Sequence, residues 1–135
     1  MNKRLTLERL CIALVAFLNL QCALAFLISP AAYVHGFELE GVAGEAAVRG
    51  MGILFAMWNV PYVVALWHPV RHRTSLIEAV IMQAVGLVGE SAMLLVLEAG
   101  HAALRATAMR FIVFDGLGLI LLLIALLLGR SQRRV

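Results

Sequence analysis

Apolar residues gather along this chain into four blocks, each long enough to cross a hydrocarbon core of roughly 30 Å at ~1.5 Å per helical residue. The blocks cover about residues 10–29, 46–67, 76–97 and 109–129, and each predicts one membrane-spanning helix. Ser29-Pro30 closes the first, His68-Pro69 the second, Ala99-Gly100 the third and Gly129-Arg130 the fourth, because proline and glycine punctuate helices. The connections are short, with no internal repeat and no low-complexity tail. The expected architecture is therefore all-α: residues 1–135 as a single domain, an antiparallel bundle of four transmembrane helices.

Composition removes the soluble alternative. Of the 135 residues 63% are hydrophobic and 14% charged, with mean hydropathy +0.96, whereas ordinary globular domains run near 25% charged and under half apolar. The net charge of +3 could suggest nucleic acid, but the eleven Lys and Arg flank the apolar blocks instead of clustering on a soluble face, so the partner they imply is the lipid bilayer and not nucleic acid. Eight of the eleven, Lys3, Arg4, Arg9, Arg71, Arg73, Arg130, Arg133 and Arg134, fall on one side, against Arg49, Arg105 and Arg110 on the other. Basic residues in short loops favour the cytoplasm, so both termini are expected there.

The first block, with Lys3-Arg4 before it and Ala23-Leu24-Ala25 within it, imitates a signal peptide. Its length exceeds a typical signal core, and it is expected to stay as an anchor. Asn19-Leu20-Gln21 does not suit a lipid-attachment site at Cys22. Cys11 and Cys22 lie roughly 16 Å apart on one helix, beyond disulfide reach.

Ionisable groups inside a span cost on the order of 2.5 to 3.5 kcal/mol at the helix centre, so each asks for a partner or a wet cavity. Measured down from the outer ends of the apolar blocks, Arg49 lies roughly 5 Å deep, Glu90 roughly 10 Å and Asp115 roughly 9 Å, with Arg110 a turn above Asp115. These four predict an outer cluster from three helices, in which Arg49 pairs with Glu90 or Asp115 as a buried ion pair or as a ligand site. Asn19, Asn59 and Gln83 predict a second polar layer, each roughly 10 to 14 Å from the cytoplasmic end of its span. Gln83, Gly86 and Glu90 share one face of the third span, and Arg49, Gly52, Ala56 and Asn59 form a comparable stripe on the second. Gly52, Ala56, Gly86 and Gly89 are expected to let backbones approach.

Other signals read as structure. His68 and His72 stand four apart, but Pro69 intervenes and Arg71 and Arg73 crowd them, so a basic loop is expected and no metal site. Trp67, Tyr33 and Phe37 occupy span ends, where aromatic belts anchor helices. Pro61 predicts a kink in the second span beside Asn59. The stretch 31–44 is expected to lie on the outer surface and cap the bundle. Nothing carries a nucleophile, a phosphate loop or a haem ligand deep in a span, so no catalytic residue and no cofactor is assigned.

At Arg49-Gly50-Met51-Gly52 and at Arg110 to Asp115-Gly116 the chain resembles the DoxX-like group of small four-helix membrane proteins. The resemblance implies a multi-pass protein of the bacterial cytoplasmic (inner) membrane, with roles as an accessory subunit of redox or stress-response assemblies. Two functions follow as expectations. One is a non-catalytic accessory or assembly subunit, with other membrane subunits or a homo-oligomer as partners. The other is a transporter or sensor of a small anionic or protonatable ligand, held by the outer Arg/Glu/Asp cluster.

Overall fold

The computed structural model describes residues 3–131, without the side chains of residues 130 and 131; Arg133 and Arg134 lie outside the described residues. Five helices follow one another: α1 (Lys3–Ile28), α2 (Gly41–Trp58), α3 (Val60–Trp67), α4 (Arg73–Val96) and α5 (Ala102–Ser131), with no strand among the described residues. Taken with α2 and α3 as one broken span, four segments are long and apolar enough to cross a membrane: Lys3–Ile28, Gly41–Trp67, Arg73–Val96 and Ala102–Gly129.

The break between α2 and α3 falls at Asn59. Pro61 has no N–H to give the carbonyl of Met57, so the regular ladder stops there. Asn59 stitches the discontinuity, its backbone N–H and its side-chain Nδ2 both donating to the carbonyl of Phe55, at 3.2 and 2.9 Å. The ladder resumes with the Val63 N–H donating to Asn59 O at 3.0 Å.

This break decides the packing. Before it, α2 lies on α1 and on the connection that precedes it; after it, α3 lies on both α1 and α4, while α5 packs on α1 and α4. Gly52 makes the α1–α2 contact possible, since a Cβ there would lie 2.9 Å from the carbonyl oxygen of Ala23. The four spans therefore close into a ring around the α3 half, where Ile12, Val15, Tyr62, Leu76, Ala79 and Leu122 form a sealed core. Around the α2 half the ring gapes between α2 and α4.

Two ends are tied differently. At one, Arg9 Nη2 donates to the Trp67 carbonyl at 3.0 Å, Arg73 Nη2 reaches the Leu126 carbonyl at 3.5 Å, and Glu8, 1% exposed, fills the space left by Gly129. At the other, the connection 29–40 folds into two short 3₁₀ turns, Pro30–Ala32 and Val34–Phe37. Thr107 Oγ1 donates to Gly36 O at 2.6 Å, and Glu38 accepts from the Leu104 N–H at 3.2 Å and meets His101 Nδ1 at 2.5 Å. Glu38 adopts a left-handed φ of 53°, uncommon for a residue with a Cβ, and these contacts with the first turn of α5 hold it. The His101 hydrogen bond, with help from the Leu104 N–H, keeps the Glu38 carboxyl below the ordinary range.

Helix starts differ from the apolar blocks. α5 begins at Ala102, seven residues before the fourth block, because Ala102, Ala103, Leu104 and Ala106 favour helix whether or not Arg105 and Arg110 suit lipid. The side chain of Val42, 87% exposed, belongs to the first turn of α2 and takes no part in a cap.

Candidate functional site

Between α1, α2, α4 and α5 lies a cavity of about 730 Å³, roofed by Tyr33, Gly36 and Phe37 of the first connection. Its upper wall is aromatic. Phe26 stands at the centre, with ring centroids 4.9 Å from Tyr33, 5.7 Å from Phe37, 5.8 Å from Phe55 and 6.5 Å from Phe111. Tyr33 and Phe37 thus close over Phe26, while Trp67 stands 80% exposed at the end of α3. Of the stretch 31–44, residues 41–44 belong to α2, and the part before them covers the cavity through these two rings and Gly36.

The lower wall is polar. Tyr62, on the α3 side of the break, donates its hydroxyl to Gln83 Oε1 at 2.6 Å, and Gln83 Nε2 donates to Asp115 Oδ1 at 2.9 Å. Asn19, from α1, lines the cavity together with this tyrosine. A line of donors from two helices therefore ends at one carboxylate on a third. Glu90 lines the same cavity two turns along α4 from Gln83 and is near enough to Asp115 to act on its charge.

The two polar layers expected from the sequence are not separate. Asp115 bonds directly to Gln83, so it belongs with Asn19 and Gln83 and not at a common depth with Arg49. Depth measured from the end of an apolar block misplaced it, because α5 starts well before that block. Arg110 lines the cavity from its exposed rim. Arg49 does not reach the group: its side chain is exposed and does not line the cavity, so the expected pairing with Glu90 or Asp115 is corrected. The reason is helical register. The buried positions of α2 are Gly44, Val48 and Gly52, and Arg49 stands roughly 100° round from Val48.

Glycine has a use here that spacing alone did not reveal. A Cβ at Gly86 would collide with Asp115 Oδ2, one at Gly118 would lie 2.6 Å from Gln83 Nε2, and one at Gly129 would lie 2.6 Å from Glu8 Oε1. Each makes room for a polar side chain of another helix, not for a bare backbone. Gly89, read as a close-approach site, meets nothing within 4 Å.

Tyr62 and Glu8 were the residues missed. Tyr62 follows Asn59 by three and Glu8 precedes Asn19 by eleven, so both fall on the inward stripe of their helices; their positions near block ends hid this. His68 and His72 sit in the turn between α3 and α4, and among the described residues no three His, Cys, Asp or Glu gather as a metal site.

Chemically, the site offers a large apolar and aromatic chamber with carboxylates, amides and a phenol on one side. It has no nucleophile–base pair. No family model, curated protein or solved structure matches this chain.

Proposed function

We propose that this chain is a sensor or transporter subunit that binds a small protonatable ligand in the cavity between α2 and α4. One observation carries the reading: an enclosed hydrogen-bond line, Tyr62 to Gln83 to Asp115, borders open space of about 730 Å³ and does not end in an ion pair. Polar networks that serve only to join helices are expected to be satisfied within the packing, without a chamber beside them. Concave, mostly apolar pockets with a few convergent polar groups are the usual form of small-molecule sites.

In this reading the spans are antiparallel neighbours in a bacterial cytoplasmic membrane, with both termini in the cytoplasm and the roofed end of the cavity outside. The contacts of Glu8 with Gly129 and of Phe26 with Phe111 support the alternation, and the excess of Lys and Arg at the Glu8 end supports the orientation. The DoxX-like resemblance is kept as a proposal of kinship.

The test is gentle extraction into nanodiscs followed by native mass spectrometry. A small molecule retained by the wild type and lost in Gln83→Leu supports the ligand reading. A chain that emerges empty, with stoichiometric protein partners, supports instead the accessory-subunit function.

A further inference from the structure

Counting donors and acceptors around the cavity narrows what it can hold. On its polar wall Tyr62 donates to Gln83, Gln83 Nε2 to Asp115 and Asn59 Nδ2 to Phe55 O. Two buried acceptors beside them have no such donor. Asn59, 2% exposed and lining the cavity, has its Oδ1 without a hydrogen-bond partner, and so has Glu90 Oε2, an atom removed from solvent. Buried polar atoms are rarely left unpaired, and an orphan acceptor costs about 1 to 3 kcal/mol. Two carboxylates within electrostatic reach of each other, with no cation paired to either among the described residues, add to the demand for a donor that is also positive.

Resting on the ligand-binding reading above, we propose that the occupant is a lipophilic amine. Its protonated nitrogen lies against Glu90 and Asp115, and its hydrocarbon body lies along Phe26, Phe55, Trp58 and Phe111. The aromatic faces suit both parts, burying hydrocarbon and attracting the cation. The route is lateral: α2 packs on α1 and the first connection and not on α4, so above Asn59 the chamber opens between two spans toward the hydrocarbon. Arg110, the one cation lining the cavity among the described residues, stands at the exposed rim, five residues or roughly 7.5 Å along α5 from Asp115, and forms no ion pair with the deeper carboxylates.

The experiment uses the full chain in phosphatidylcholine nanodiscs with Trp67→Phe, which leaves Trp58, a cavity residue, as the single tryptophan. Three probes of one skeleton are compared, 11-bromoundecylamine, 11-bromoundecanol and 11-bromoundecanoate, by bromine quenching of Trp58 against bilayer concentration. The amine is expected to quench at a concentration at least tenfold below the other two, and Glu90→Gln to erase most of that preference. Glu90 Oε2 has no partner inside the protein, so Glu90→Gln removes the charge without breaking an internal bond, and an unchanged melting temperature checks this. Equal quenching by all three probes, tightest quenching by the carboxylate, or unaltered amine preference in Glu90→Gln would overturn the amine proposal while leaving a ligand cavity. Quenching by none beyond that of the bare bilayer would overturn both.

Discussion

Asp115 ends a line of donors because Gly86 leaves space for it and Gly118 for Gln83, and single methyl groups should expose this. In Gly118→Ala the new Cβ displaces Gln83 from Asp115, and overpacking of this kind costs about 1 to 3 kcal/mol. Gly50 and Gly89 meet nothing within 4 Å, so Gly50→Ala and Gly89→Ala should be neutral or stabilise by up to about 1 kcal/mol through helix propensity. Denaturant titration in mixed micelles checks the contrast; equal losses at all three positions would contradict it. At Glu38 the consequence is pH dependence. Its folded carboxyl sits below the ordinary value of 4.5, so the tie to His101 and Leu104 is fully present above that value and is lost as pH falls through the lower, folded one. A nitroxide at Ala31 should gain mobility as pH falls through that lowered value in the wild type, and should already be mobile at neutral pH in Glu38→Gln.

At the scale of elements, the broken second span is what makes a chamber out of a bundle. Pro61→Ala returns an N–H to the ladder and should let α2 continue into α3, swinging the α2 half toward α4. Spin labels at the exposed Leu54 and Val88 should then come closer, and Trp58 quenching by the brominated amine should fall. An unchanged label distance would show that Asn59 and not Pro61 sets the break. Most of this level was legible beforehand. Long apolar runs dictate helices, and Pro61 dictates where one must fail. Inward faces were legible where a polar residue fell among small ones, as with Gln83, Gly86 and Glu90. They were misread where one residue of register matters: Arg49 adjoins the buried Val48 yet points elsewhere, since a helix turns about 100° per residue. Nor could hydropathy foresee that α5 would start at Ala102, because a helix is not obliged to stop where lipid does.

For the whole molecule, four apolar spans with a closed α3 half and an open α2 half give a vessel with its polar wall midway and its aromatic roof at one end. Orientation is testable in a background of Cys11→Ala and Cys22→Ala: Ala103→Cys should react with impermeant maleimide from outside, and Arg71→Cys only after the membrane is opened. The reverse pattern would put the roof in the cytoplasm. The donor line and the cavity were beyond sequence reading, because both arise from contacts between helices far apart in the chain, such as Tyr62 with Gln83 and Gln83 with Asp115. The most direct measurement is an anomalous difference map from crystals grown in lipidic phase and soaked with 11-bromoundecylamine. A bromine peak inside the chamber bounded by Phe26, Phe55, Trp58 and Phe111, with connected density reaching Glu90 and Asp115, is the expected result. A chamber empty of bromine, or peaks confined to the lipid-facing surface, would contradict a ligand-binding cavity.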